Sequence, residues 1–296
     1  MPSGIATNRT NVSLPTELSR EIIQKTQEQS AIMRLARQIE LPGRGVAIPI
    51  ITGDPTAAWV DETAAKPVSN PSLSQKVMTA YKLAVIVPFS MEFRRDAASL
   101  YDALVERLPL ALAKKFDETV FHGSAPGSNF DTFASVTAQN IGSTNTYAGL
   151  VAADEDIATH GGIMNGVVLS PQGKSTLLSA LDGDNRPLFI NSVAEGAVPM
   201  VLGANTILNK AAYKVGASGS PATPNVVGFA GDWTQAMYGT VEGVRVTYSE
   251  DAALTINSTL TSLFEHNMVA VRAEIEVGFR ADTACFNLLT GATPQS

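Results

Sequence analysis

The residues that come nearest to a catalytic motif are Gly173-Lys174-Ser175, which follow the apolar stretch at residues 166–170. A phosphate-binding P-loop also needs a glycine five positions before its Gly-Lys pair, because the backbone must curl tightly to aim successive N–H groups at one phosphate. Val168 occupies that position, and no separate acidic residue at a strand end completes the site. Pro171 instead predicts the first turn of an ordinary helix.

Serine and histidine residues are the next candidates for chemistry. Gly-Ala-Ser-Gly-Ser at residues 216–220 lacks the second glycine of a nucleophile elbow, and no helical pattern follows it. His122 and His160 each end a predicted helix, where a cation favours the helix dipole, and His266 precedes a predicted strand. No two of these histidines stand at the spacing of metal ligands. The sequence therefore predicts no catalytic residues and no metal site.

Two remaining features have structural interpretations. Asp182-Gly183-Asp184 is similar to the start of a calcium loop, but Pro187 occupies the position of its glycine and Val193 that of its bidentate glutamate. We therefore interpret this segment as a turn. Cys285 is the single cysteine, which excludes an intramolecular disulfide and a thiolate zinc site and fits folding in a reducing cytoplasm. We expect it to be a small buried side chain in a strand.

The composition is that of a globular protein without a bias toward nucleic acid or membranes. Of 296 residues, 45% are hydrophobic and 17% are charged, which suits one large domain or two moderate ones. The formal net charge is -7 and the basic residues are scattered, whereas phosphate-binding modules are usually basic. The longest apolar run, residues 83–89, is too short to cross a bilayer, and the first residues lack a secretory signal pattern.

Two segments come before the main helical pattern. Apolar residues recur at helical spacing over residues 17–39, which predicts an amphipathic helical arm that stops at residues 42–45. Residues 46–88 are extended in character around a polar stretch, residues 62–72, that contains two prolines. This pattern predicts a long two-stranded ribbon with a stiff tip. Because an isolated ribbon has little stability in water, we expect it to lie on a partner.

The strongest helical pattern covers residues 99–122, where an apolar stripe faces away from the charged residues. Pro109 falls inside the pattern, so we expect a bend or a break there. The stripe predicts the core contacts of this helix, which are Leu104, Leu108, Leu112 and Phe116.

The rest of the sequence predicts shorter elements of mixed type. Residues 123–149 are loop-like, residues 216–224 form a surface loop, and residues 268–279 alternate as a strand does. Further helices are predicted at residues 152–160 and 171–181, and strands at residues 166–170, 200–202, 206–208, 226–229 and 244–248. The sum is an α+β fold in two lobes, with the early strands and the C-terminal strand in one sheet.

A series of short segments occurs in an order that is typical of one family. They are Ile48-Pro49, Ala58-Trp59-Val60-Asp61-Glu62, Ala65-Lys66-Pro67, Val87-Pro88-Phe89, Phe121-His122-Gly123, Arg186-Pro187-Leu188, Gly231-Asp232-Trp233, residues 263–274 and Ala284-Cys285-Phe286. Together they resemble the major capsid proteins of tailed bacteriophages, whose Hong Kong 97-like fold is shared with encapsulin nanocompartments. Asn185 stands where the family often has glycine. The resemblance lies in the order of the segments, over most of residues 45–290.

The resemblance implies four parts of the chain. They are an N-terminal arm (residues 1–44), an extended β-hairpin loop (45–89), a peripheral domain with a long spine helix (90–149 and 236–296), and an axial domain (150–235). The axial domain would meet its copies at five-fold and six-fold centres. Many family members carry a long N-terminal scaffolding segment. This sequence enters the arm directly, so we expect scaffolding to come from a separate protein or to be dispensable.

The function implied by the resemblance is assembly through hexamers and pentamers into an icosahedral shell. The shell would enclose phage double-stranded DNA without sequence-specific binding, and would be part of the virion after assembly in the host bacterial cytoplasm. Scaffolding, portal and decoration proteins are the other expected partners, and no cofactor and no membrane are expected. Contacts between subunits are expected from the extended loop, at Trp59, Glu62, Lys66, Pro67, Pro71, Lys76 and Tyr81.

Two other classes of protein stay open on the sequence alone. An encapsulin-type shell would have the same fold, although no cargo-docking segment is recognisable. Particle contents would separate the two, because only a phage shell should hold genomic DNA. A hydrolase or NTPase would depend on the motif at residues 173–175, and a turnover assay on Lys174→Ala and Ser175→Ala variants would test it.

Overall fold

The computed structural model describes residues 30–43, 45–53, 57, 59–60, 66, 68, 72–96, 98–142, 146–181, 184, 186–189, 200–219, 221–256 and 258–293. Its α-helices are α1 (Ala31–Leu35), α2 (Met91–Asp96), α3 (Ala98–His122), α4 (Thr146–Thr159) and α5 (Pro171–Leu178). Its strands are β1 (Arg37–Glu40), β2 (Val46–Gly53), β3 (Ser72–Met78), β4 (Tyr81–Ser90), β5 (Thr137–Asn140), β6 (Gly166–Leu169), β7 (Met200–Val201), β8 (Ala204–Leu208), β9 (Val226–Gly231), β10 (Ala236–Thr240), β11 (Arg245–Ser249), β12 (Ala253–Ile256), β13 (Thr259–Ser262), β14 (Met268–Ala281) and β15 (Phe286–Thr290).

The first sheet is built around the long strand β14. On one side β4 pairs with it antiparallel, from Tyr81 opposite Val277 to Ser90 opposite Met268. On the other side β11 and β10 pair with successive parts of β14, and β1 joins β10 in parallel. One face of β14 is buried at alternate positions, as its sequence pattern predicts. The prediction that the early strands and the C-terminal strand share a sheet is confirmed for β4, and it is wrong for β2 and β3, which pair only with each other.

Helix α3 packs on this sheet with its apolar stripe. It runs without interruption through Pro109, so the break that the sequence allowed does not occur. Leu108, Leu112 and Phe116 are buried, and Phe116 meets Phe279 of β14 edge to face, with ring centroids 6.3 Å apart. The side chain of Leu104 lies outside the described residues. Burying one face against the sheet stabilises a helix of this length far more than its intrinsic propensity does.

The second sheet has the strand order β5-β15-β9-β6-β8-β7 and is packed by α4 and α5. Its core includes Ile141, Leu150, Ile157 and Leu177. β15 lies between β9, with which it is antiparallel, and β5, with which it is parallel. The sequence assigned both β5 and β15 to the peripheral domain and took β5 for loop. Those boundaries do not follow the sheets, because a short 3-10 turn at Thr283–Cys285 carries the chain from β14 into the second sheet.

The N-terminal arm differs from the helix predicted over residues 17–39. Residues 17–29 lie outside the described residues, and helix is found only in α1, which is capped by Ser30. The prediction is wrong at residues 37–39, which belong to β1. Pairing with β10 wins over helical spacing here, and the N–H of Leu41 extends the pairing by donating to the Thr240 oxygen at 3.0 Å.

Several shorter elements also depart from the predicted bounds. Helix α4 begins at Thr146, and β10 and the separate hairpin of β12 and β13 occur where no strand was predicted. In the loop at 216–224, the described residues form neither helix nor strand, as predicted. Within the part of the chain that is described, no helix is both long enough and apolar enough to span a membrane.

Candidate assembly surfaces

The Gly173-Lys174-Ser175 motif belongs to a helix start that packs on the second sheet. The Ser170 hydroxyl accepts a hydrogen bond from the Gly173 N–H at 3.0 Å, and the Lys174 N–H donates to the Ser170 carbonyl at 2.9 Å. A Cβ at Gly173 would collide with the backbone oxygen of Val227 on β9. Capping therefore accounts for Ser170 and close packing for Gly173, the glycine of this motif.

The three histidines have different environments. His122 ends α3 against the ring of Phe229, with centroids 5.3 Å apart, and burial lowers the pKa of its imidazole. The Nδ1 atom of His160 lies 2.8 Å from the backbone oxygen of Asp156, one turn earlier in α4. His266 is exposed. Over the described ranges, no group of His, Cys, Asp and Glu side chains could hold a metal ion.

Cys285 lies in the turn that joins the two sheets. It ends the 3-10 turn before β15, so its predicted place in a strand is wrong by one residue. Its side chain is buried, as expected, and burial raises the pKa of its thiol. A turn was predicted at residues 182–185. The residues that flank it, Leu181 and Pro187, form an isolated antiparallel bridge.

The ribbon, which we define as β2, β3 and the residues between them, pairs separately from the two large sheets. Its strands pair antiparallel from Val46 opposite Met78 to Gly53 opposite Ser72, in a sheet of their own. Beyond the paired part, Trp59 is 104% exposed and Val68 is 88% exposed. Lys66 is also exposed. Among the predicted contact residues, Glu62, Pro67 and Pro71 lie outside the described residues.

The other two predicted contact residues lie at the base of the ribbon and contact their own subunit. Lys76 donates to the Ala281 oxygen at 2.9 Å, and its Nζ lies 3.9 Å from Asp131 Oδ2. The Tyr81 hydroxyl accepts from the Asn129 N–H at 3.3 Å. The ring of Tyr81 meets Phe130 edge to face, with centroids 6.0 Å apart. These contacts place both side chains where the ribbon joins the first sheet.

The arm is also attached to the body of the subunit, by a contact with α3 that the sequence did not reveal. Asp117 is completely buried and accepts from the Ser30 hydroxyl at 2.5 Å, the Ala31 N–H at 2.9 Å and the side-chain amide of Asn209 at 2.5 Å. Desolvation outweighs these bonds and raises the pKa of the carboxyl to about 6. We call this contact the arm junction. It links the arm, α3 and the residue that follows β8.

Comparison with known proteins identifies a family that has this architecture. Residues 10–284 match the model of the phage capsid family. The chain is 26% identical over 289 residues to the probable major capsid protein gp17 of Mycobacterium phage D29, covering 92% of this chain and 87% of that protein. It is 25% identical over 297 residues to the major capsid protein of Staphylococcus phage 80alpha, covering 95% and 85%.

Solved structures agree at the level of the fold. A structure from Gordonia phage Cozz matches with a TM-score of 0.73 and 22% identity, over 90% of this chain and 87% of that one. A chain from the capsid of a native GTA particle matches with a TM-score of 0.65 and 15% identity, over 99% and 95%. The Hong Kong 97-like fold is confirmed, and the encapsulin alternative is not favoured. Since the family model spans nearly all of the sequence, the chain belongs to the phage capsid family.

Proposed function

We propose that this capsid protein is the major shell subunit and assembles through hexamers and pentamers into an icosahedral container for phage double-stranded DNA. In this proposal the first sheet with α3 forms the peripheral part, and the second sheet with α4 and α5 forms the axial part. Scaffolding, portal and decoration proteins would act on that shell, which would assemble in the host cytoplasm.

The observation that carries the proposal is the exposure of Trp59 and Val68, two apolar side chains between β2 and β3. Trp59 and Val68 present almost their whole side chains to solvent, and neither position lies in a described strand. A tryptophan with its whole side chain in water gains by burial against a partner, and a two-stranded ribbon needs something to pack on. We propose that each ribbon lies on a neighbouring subunit.

Symmetry makes a modest contact of this kind sufficient for a shell. In a closed ring each subunit both gives and receives the ribbon, so one pairwise interface is repeated around the ring and the assembly gains by multivalency. The net charge of the chain, -7, suits a shell that encloses DNA without binding it tightly, because a negatively charged protein is repelled by phosphates on average.

The test is to express the chain alone and to examine it by sedimentation and electron microscopy. We expect closed particles from the unaltered chain. Replacing residues 64–73 by two glycines should leave the subunit folded, because the described cores do not include this segment, and should abolish closed particles or make them irregular. A Gly-Ser insertion between Ser218 and Gly219 is the matched control. Normal closed particles from the deleted chain would refute the role of the ribbon.

A further inference from the structure

The buried arginine at the end of β14 makes contacts that the sheet itself does not require. Arg280 is 9% exposed, although it lies on the same face of β14 as the exposed Arg272. Its Nε donates to the Val77 carbonyl at 2.8 Å, its Nη1 to Asp131 Oδ1 at 2.7 Å and its Nη2 to Asn129 Oδ1 at 3.0 Å. The guanidinium thus joins the C-terminal end of the ribbon strand β3 to the segment that follows α3.

Asp131 is held from both of its oxygens. While Oδ1 accepts from Arg280, Oδ2 accepts from the Ala281 N–H at 3.1 Å, and the Asp131 N–H donates to the Phe279 carbonyl at 3.1 Å. The bonds of Lys76 to Ala281 and toward Asp131 add a second cation from β3. A fork-shaped guanidinium that is fixed at three points and paired with a held carboxylate has little freedom to turn.

The link between β3 and β4 is held by the same group of residues. The side-chain amide of Asn129 donates to the Thr79 hydroxyl at 3.1 Å, and its backbone N–H donates to Tyr81. Gly127 lies directly against the Tyr81 ring, where a Cβ would have no room. We call the contacts of Lys76, Val77, Asn129, Asp131 and Arg280 the ribbon junction.

We infer that Arg280 is a positioning residue for assembly, which fixes the direction in which the ribbon leaves the subunit. This inference rests on the proposed function of the ribbon. A strand rises about 3.3 Å per residue, so β2 with its 8 residues alone reaches about 26 Å from the junction. A small rotation at the base therefore moves the exposed residues beyond β2 by much more, and neighbouring subunits would meet at a variable angle.

The experiment measures the ribbon direction in the full chain before assembly. Spin labels are placed at Gln75→Cys on β3 and Lys115→Cys on α3, in a Cys285→Ala background, and their distance distribution is recorded by pulsed electron resonance. We expect a single narrow distribution for the parent protein. Arg280→Lys keeps the charge but cannot reach Val77, Asn129 and Asp131 together, so we expect a broader distribution and a loss of uniform particles. Arg272→Lys, at an exposed position of the same strand, is the matched control. It should change neither the distance distribution nor the uniformity of the particles.

The outcomes separate this inference from the function on which it rests. A residue that only stabilises the fold would lower the unfolding temperature of Arg280→Lys and leave the distance distribution narrow in the folded subunit, which would overturn the inference. Uniform closed particles from a variant with a broad distribution would overturn it as well. If Arg280→Lys does not fold, Asn129→Ala is measured with the same criteria. Failure of the parent chain to assemble at all, into rings or into shells, would refute the proposed function, and the label distances would still decide whether Arg280 directs the ribbon.

Discussion

The arm junction and the ribbon junction both attach a segment to the body of the subunit through an aspartate, but they treat its charge differently. Asp117 is fully buried, and the described donors to it are a hydroxyl, a side-chain amide and backbone N–H groups. Asp131 is partly exposed and paired with a guanidinium at 2.7 Å. The first carboxylate is desolvated without a counter-charge, whereas the second is compensated.

This difference predicts which attachment responds to pH. Uncharged donors do not repay the desolvation of Asp117, which is why its pKa rises to about 6. Near neutral pH the arm junction therefore holds an ionised group at a cost, and protonation relieves that cost. The ribbon junction gains from an ion pair with three further hydrogen bonds from Arg280, which favours a fixed geometry. The arm junction is thus suited to respond to pH, and the ribbon junction is suited to keep one geometry.

The largest effect is expected from breaking the ion pair of the ribbon junction. Arg280→Met leaves Asp131 partly buried and facing a thioether, and the removal of one partner of a buried pair typically costs about 3 to 5 kcal/mol. Urea unfolding of the subunit measures this loss. Arg272→Met, at an exposed position on the same face of the strand, should cost less than about 1 kcal/mol. Equal losses in the two variants would mean that Arg280 behaves as a surface charge.

Loss of packing under α3 should weaken both junctions together, because the helix carries Asp117 and leads into the segment of Asp131. Leu112 is 2% exposed, so Leu112→Ala should cost about 2 to 5 kcal/mol in unfolding free energy. Leu110→Ala, whose side chain is half-exposed on the same helix, is the control. Hydrogen exchange should show a similar loss of protection at the amides of Ala31 and Ala281. A loss confined to one of these amides would mean that the junctions are independent of the helix.

The pH response should distinguish the two junctions directly. The pKa of Asp117 is raised from 3.8 to about 6 in the folded protein, so the folded subunit binds this proton more tightly than the unfolded chain does. The resulting stabilisation is complete below about pH 4 and is lost as pH rises through about 6. At about 1.4 kcal/mol per pKa unit, the loss is on the order of 3 kcal/mol.

The measurement compares unfolding of the parent protein and Asp117→Asn from about pH 4 to pH 7. The side chain at position 117 of the variant is uncharged at every pH, so its amide shifts the unfolding free energy by a constant amount. The pH dependence of the difference between the two curves therefore reports the Asp117 carboxyl alone. Leu110→Ala, which removes no titratable group, should run parallel to the parent protein. Parallel curves for the parent and Asp117→Asn would show that Asp117 is ionised with an ordinary pKa.

The elements that the sequence predicts well are those whose partners do not change their local pattern. The alternation of β14 and the apolar stripe of α3 are visible because each element buries one continuous face. Residues 37–40 show the opposite case. Leu35, Ala36 and Ile39 continue a helical spacing, and only parallel pairing with β10, some 200 residues away, makes this stretch a strand. β5 was predicted as loop, and only its pairing with β15, about 150 residues further along the chain, makes it a strand.

The two junctions were hidden because each joins residues that are far apart in the chain. Ser30 and Asp117 are separated by 87 positions, and Asp131 and Arg280 by 149. One signal was available at Asp117, which directly follows Phe116 and lies within the buried arc of α3. No comparable signal exists for Arg280, because its position in β14 is on the same face as the exposed Arg272, and only the base of the ribbon covers it.

The smallest effect is expected in the loop at residues 216–224, which attaches nothing to either junction. Its ends are already closed, since the Thr223 N–H donates to the Ala217 carbonyl at 2.9 Å and the Ala217 N–H donates to the Thr223 hydroxyl at 2.7 Å. Ser218, Gly219, Pro221 and Ala222 are exposed beyond that closure. Extra residues between Ser218 and Gly219 therefore lengthen a loop whose ends stay fixed, and doubling the length of such a loop costs only about 0.6 kcal/mol. We expect the Gly-Ser insertion to leave the pH response, the label distances and the particle size unchanged. Loss of soluble protein on insertion would show that this segment takes part in a core contact, and its independence from the two junctions would then be wrong.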